Sequence, residues 1–183
     1  MKWNNHLNLD GRHAFLSPSK YHWVRYDEQK LDEVYSSWQA AQRGTELHEL
    51  ASRLIKNRIK LPSTPKKTYN MYINDCIGFR MDPEVTLFYS VNCFGTCDAI
   101  LFKDNKLKIF DLKTGATPAS AKQLEIYAAI FCLEYRCSPN ELDIELRLYQ
   151  NDEILCWNPD AEEILYIMQK IKDFDKRIEQ ATS

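Results

Sequence analysis

Asp98, Asp111 and Lys113 carry the chemistry that stands out in this chain, because backbone pairing would bring them together. They lie in the stretch Phe94 to Gly115, which reads as a β-hairpin. Two runs rich in β-branched and aromatic residues flank a polar turn at Asp104-Asn105. A two-residue loop there sets Phe102 against Leu107, Ile100 against Ile109, Asp98 against Asp111 and Thr96 against Lys113. Residues opposite one another in such a ladder have Cβ atoms about 4.5–5.5 Å apart. Like charges in that position repel, so two facing aspartates call for a reason. A shared divalent cation is the simplest one, since Mg²⁺ and Mn²⁺ favour carboxylate oxygens.

Lys113 is two residues from Asp111 and shares its face of the strand, while Leu112 points away and leaves its backbone carbonyl near the carboxylates. Two carboxylates, a carbonyl and an ammonium make a site in which a bound cation acidifies water and shields a phosphodiester. The lysine would position that water or stabilise charge on the pentavalent phosphorus. The plainer alternative is an ordinary hairpin end whose lysine bridges solvated aspartates. The paired register favours the metal.

Other candidates are weaker alone. His48 sits beside the stripe Leu47, Leu50, Ala51 and Leu54, one helical turn from Gly44. It can be a nitrogen ligand, but periodicity alone favours a satisfied core or boundary histidine. Glu46 and Glu49 flank it, and either could offer a carboxylate instead. Gln123 and Tyr127 share a helix face at i, i+4. The cations from Lys56 to Lys67 either grip phosphates or decorate a solvated, proline-broken connection. Cys97 points to the other face of its strand from Asp98 and receives no role.

The elements that must position these residues follow from the pattern. A serine caps a short helix from Ser17 through Trp23 and Tyr26, and a second helix runs from about Lys30 to Ile59 with an interruption. Ile77–Arg80 and Val85–Val91 read as strands, with Asp82-Pro83 as a turn. After the hairpin come a helix over Ser120–Cys132, a strand over Ile144–Tyr149, and a partner strand Ile154–Trp157 across Asn151-Asp152. An amphipathic helix from about Asp160 to Ile178 ends the chain. The expected fold is α+β, a mixed sheet flanked by helices.

A chain of 183 residues is expected to form a single domain: helices with the histidine over 1–60, a sheet with an inserted helix over 75–157, and a terminal helix over 160–180. The net charge of −2 means that a polyanion would have to be held by a local basic patch. Six cysteines without a CxxC pair or zinc spacing read as reduced thiols of a cytoplasmic protein. Neither a secretory signal nor a membrane-length apolar run is seen, so no membrane association is expected.

Taken in order, these residues resemble the PD-(D/E)XK nuclease superfamily, in its RecB-like and lambda-exonuclease-like branch. The matching pieces are Ser17-Pro18-Ser19, Gly44-Thr45-Glu46-Leu47-His48, Gly95-Thr96-Cys97-Asp98, Asp111-Leu112-Lys113-Thr114-Gly115, and Gln123 four before Tyr127. The resemblance implies an αβββαβ core and a Mg²⁺- or Mn²⁺-dependent deoxyribonuclease, usually an exonuclease of DNA recombination, repair or phage DNA processing. It implies His48, Asp98, Asp111 and the Leu112 carbonyl as metal ligands and Lys113 as the catalytic lysine, and it favours a ligand role for His48. It sets Gln123, Tyr127, Ser19 and Lys20 on the DNA-binding side. Several relatives hold an iron–sulfur cluster on four cysteines. That spacing is not reproduced here, so no cluster is expected. There is no helicase motor, so unwinding would fall to a partner, a helicase or a strand-annealing protein. A bacterial or phage-infected host cytoplasm is the implied setting. Two competing readings are a catalytically silent nuclease-like module that binds DNA or protein, and a restriction-type endonuclease.

Overall fold

The computed structural model describes residues 14–63, 67–115 and 119–182. The chain divides into two compact units, Met1–Thr45 and Glu46–Ser183. In the first, a 3₁₀ helix spans Pro18–Arg25, with Ser17 at its start but making no side-chain cap. Helix α1 (Glu28–Lys56) begins in this unit and continues into the second as one uninterrupted helix, not the broken one expected. Asp27 caps it, its Oδ1 accepting the Lys30 N–H at 2.7 Å.

The second unit is built on a five-stranded mixed sheet in the order β1-β2-β3-β4-β5. Its strands are β1 (Asp82–Ser90), β2 (Cys93–Lys103), β3 (Lys106–Leu112), β4 (Asp143–Gln150) and β5 (Glu153–Trp157). Helix α2 (Thr68–Phe79) precedes β1, α3 (Lys122–Tyr135) joins β3 to β4, and α4 (Ala161–Thr182) closes the chain. Pairing is antiparallel except between β3 and β4, which run parallel. Parallel neighbours cannot be joined by a tight turn, and α3 is the crossover that solves this.

The hairpin register follows the expectation. Phe102 pairs with Leu107 and Ile100 with Ile109, and Asp104 and Asn105 both adopt positive φ, 51° and 58°. Those angles suit a type I′ turn, whose twist matches the strands it joins. Asn151 and Asp152 repeat the device between β4 and β5, at 50° and 62°.

Two expectations about the start of the sheet fail as well. Ile77 belongs to α2, not to a strand, and Arg80 caps that helix in the left-handed region at φ 61°. Its N–H and that of Met81 return to carbonyls at the helix end, a Schellman-type stop made without glycine. Asp82-Pro83 is no turn but the start of β1. A proline is tolerated there because β1 is an edge strand.

Each sheet face has its own core. On one, Leu87, Cys97, Ile100, Leu107, Ile109, Leu146 and Leu148 meet Leu124, Ala128 and Phe131 of α3 and Ile164 and Ile167 of α4. On the other, Phe110, Leu112 and Tyr149 meet Ala51 and Ile55 of α1 and Tyr72, Ile73 and Cys76 of α2. Of the apolar stripe read around His48, Leu47 and Leu50 stay exposed, and Ala51 with Ile55 does the packing. A polar layer pins α2 to β4. Tyr149 donates to Asp75 at 2.7 Å, and Arg147 pairs with Asp75 at 3.3 Å and Glu145 at 2.7 Å while lying over the Phe79 and Phe110 rings. Among the described residues, no helix is long and apolar enough to cross a membrane.

Candidate active site

The site forms where β2 and β3 part company. Their ladder ends at Ala99–Phe110, one pair short of the aspartates. At the next position Asp98 does not pair backbone to backbone with Asp111. Its Oδ2 accepts the Leu112 N–H at 2.8 Å, so a side chain takes the place of a rung. The amide of Leu112 thus meets Asp98, while the Leu112 side chain is buried in the α2-side core.

α1 delivers His48 to the same carboxylate, with Nδ1 at 3.4 Å from Asp98 Oδ2. The hydrogen bond to Asp98 raises the imidazole's pKa against the opposing effect of burial. β1 brings a third group that sequence reading missed. Pro83 pairs with Ala99 and Val85 with Cys97, which sets Glu84 across from Asp98. Glu84 has φ 55°, an uncommon angle for a residue with a side chain. One ligand atom from each of His48, Glu84 and Asp98 lies within 4.8 Å of the other two. Burial, then the charge of Asp98, raises the pKa of Glu84. No motif marks Glu84. Its only signal is register, which a strand boundary misplaced around Asp82-Pro83 concealed. Glu46 and Glu49, the carboxylates considered beside His48, are not in this cluster.

Asp111 lies next to the cluster and is 2% exposed. Burial, then Asp98, pushes its pKa up to about 6, with Lys113 acting in the opposite direction. Lys113 Nζ donates to Oδ1 at 3.1 Å and lies 2.9 Å from Oδ2. The angle to Oδ2 makes no hydrogen bond, and that buried oxygen has no hydrogen-bond partner. Its partner is the ion pair with the Lys113 ammonium. Repelling acids beside an imidazole form a donor set that fits a divalent cation.

The lysine is held from both sides. Its ammonium also donates to Gln123 Oε1 at 2.9 Å, Gln123 Nε2 donates to Tyr127 Oη at 3.4 Å, and Tyr127 donates to the Thr96 carbonyl at 2.7 Å. A chain of hydrogen bonds thus runs from Asp111 on β3 through α3 to β2. Gln123 and Tyr127, expected on the DNA side, spend these bonds on orienting Lys113. The Lys113 N–H donates to Tyr149 O at 2.9 Å, fixing the strand end that carries it. An open cleft of about 250 Å³ lies beside Lys113, walled by Leu47, Tyr69, Thr114 and Asp152.

Ser19 and Lys20 belong to the 3₁₀ helix of the first unit. In the basic stretch, Arg58 is turned to structural use, at φ 56° and donating to Ile77 O at 3.4 Å. Lys66 lies outside the described residues.

No protein-family model matches this chain, and no curated protein matches it.

Proposed function

We propose that the protein is a divalent-metal-dependent deoxyribonuclease of the PD-(D/E)XK kind, acting from DNA ends. The observation that carries this reading is the meeting of Asp98, Asp111 and Lys113 with His48 at the open end of a strand pair. The order of a helix, three antiparallel strands, a crossover helix and a parallel strand agrees with it. Preference for ends over internal positions comes from the sequence resemblance.

Asp98, Asp111, His48 and Glu84 would hold the cation. When bound, it would lower the pKa of a coordinated water and draw negative charge from the phosphodiester. The protein's own groups set the rest. Asp98 is kept in place by the Leu112 amide, so its free oxygen has a defined direction. Lys113, gripped by Asp111 and Gln123, presents a fixed ammonium beside the cleft. There it can donate to the attacking water or to the phosphoryl oxygen that gains charge. The near-closed packing around Asp111 lowers the local dielectric and strengthens each of these interactions.

End-labelled linear DNA and closed-circular DNA, each with Mg²⁺, Mn²⁺ or EDTA, test the reading. We expect metal-dependent shortening of the linear substrate, lost in EDTA and in Lys113→Ala. Absence of cleavage by the unaltered protein under every condition removes it. Discrete fragments from the circle would replace an end-directed enzyme with an endonuclease.

A further inference from the structure

The first unit contains an aromatic pocket that the cleavage chemistry leaves unused. Phe15, Trp23, Tyr26, Val34 and Trp38 line it with Lys20, around a cavity of about 120 Å³. That is far more than the roughly 10–15 Å³ that one water needs. No described residue from 14 to 45 is buried, so these large side chains build walls without closing into a core. Their rings are ordered against one another. Phe15 meets Tyr35 edge-on at 5.0 Å and Trp38 at 5.6 Å, and Tyr35 stacks on Trp38 at 5.7 Å. The Trp23 indole N–H donates to Ser17 O at 3.0 Å, which satisfies its polar edge and leaves the ring for contact.

We propose that this pocket binds an unpaired nucleobase of single-stranded DNA, with Lys20 gripping the adjacent phosphate. Planar aromatic walls select a flat, π-rich guest, and stacking tolerates any base. The lysine disfavours a cationic guest, which an aromatic cage would otherwise suit. Lys20, His22 and Arg25 lie on a segment, Pro18–Arg25, that carries no acidic residue. Of the acids at the start of α1, Asp27 caps the helix and Glu33 pairs with Lys30 at 3.5 Å, and none of the four lines the pocket, whose one charged wall residue among those described is Lys20. The choice of DNA over another aromatic anion rests on the nuclease reading, whereas the pocket and its charge do not.

The test uses the full chain in EDTA, so that nothing is cut. A fluorescent ten-residue deoxythymidine oligomer and the same backbone with abasic sites are compared by anisotropy at low salt. We expect the abasic strand to bind at least fivefold more weakly. Trp23→Leu should weaken the thymidine strand by roughly tenfold and Trp23→Phe by much less, while Lys20→Gln should weaken both strands and flatten the salt dependence. Circular dichroism confirms that each variant is folded. Equal binding of the two strands, or a folded Trp23→Leu that binds like the unaltered protein, overturns the proposal. A ribose oligomer that binds more tightly than the deoxyribose one overturns the assignment to DNA. Cleavage without base-dependent binding would refute the pocket and spare the nuclease; base-dependent binding without cleavage in Mn²⁺ would do the reverse.

Discussion

A β-carbon on Gly95 would stand 3.0 Å from the ring of Tyr127. β2 thus lacks a side chain at the place where α3 lays its tyrosine against it, and that contact holds one end of the hydrogen-bond chain to Lys113. Gly95→Ala must push the ring aside or strain the strand, at about 1–3 kcal/mol. Thermal unfolding should register that loss. Cleavage in saturating Mn²⁺ should fall as well, because Tyr127 and Gln123 no longer steady the ammonium. A variant that unfolds earlier but cuts at the original rate would show that the chain does not matter to Lys113.

Lys113→Ala should lower cleavage by roughly 10²–10⁴-fold, the usual range for a positioned proton donor. It should also move Asp111. The lysine opposes burial and Asp98, which together push that carboxyl up to about 6. Without the lysine its proton should be held to higher pH, which infrared or NMR titration of the carboxyl would follow. Unchanged circular dichroism would separate this from unfolding.

Mn²⁺ should raise the melting temperature, since a ligand at about 100 times its dissociation constant adds roughly 2.7 kcal/mol. Asp98→Asn keeps an oxygen for the Leu112 amide and so isolates the loss of charge; it should abolish most of the rise. Glu84→Gln should reduce it. Full Mn²⁺ stabilisation of Glu84→Gln, measured by calorimetry, would exclude Glu84 from the ligand set and return it to a cross-strand neighbour of Asp98.

Away from the site, Glu145 gives a signed pH prediction. Burial pushes its pKa up, but hydrogen bonding from Lys108 and the charge of Arg147 outweigh this and leave it below its ordinary 4.5. A carboxylate depressed in the folded state contributes stability that is complete above its unfolded pKa and disappears as pH falls through the folded one. At neutral pH, Glu145→Gln should therefore melt below the unaltered protein. On acidification from about pH 4.5 downward the two curves should approach each other.

The hairpin and its register were legible because two-residue turns demand positive φ, and Asp104-Asn105 and Asn151-Asp152 tolerate it. Helix α2 was not: residues 68–76 received no element, and Ile77–Arg80 read as a strand. Its stop uses Arg80, where a glycine would have announced it, and Ile77–Phe79 is too short an apolar run to distinguish helix from strand. That one error hid Glu84. With Asp82-Pro83 read as a turn, β1 began three residues late and Glu84 had no partner to be counted against. Asp98, Asp111 and Lys113 could be found because hairpin register and local motif both point to them, whereas His48 came only from the family resemblance, periodicity alone favouring a core or boundary residue. The aromatic pocket is visible only in three dimensions, since Phe15, Trp23 and Trp38 share no period.

β3 carries Asp111 and Lys113, yet its neighbour β4 begins only at Asp143, after the whole of α3. While the protein is being made, a chain that has left the ribosome only as far as α3 owns every acid and amine of the centre but not the Tyr149 carbonyl that the Lys113 amide requires. A fragment interrupted before β4 would then hold these acids and this amine without the backbone bond that fixes the strand end carrying Lys113.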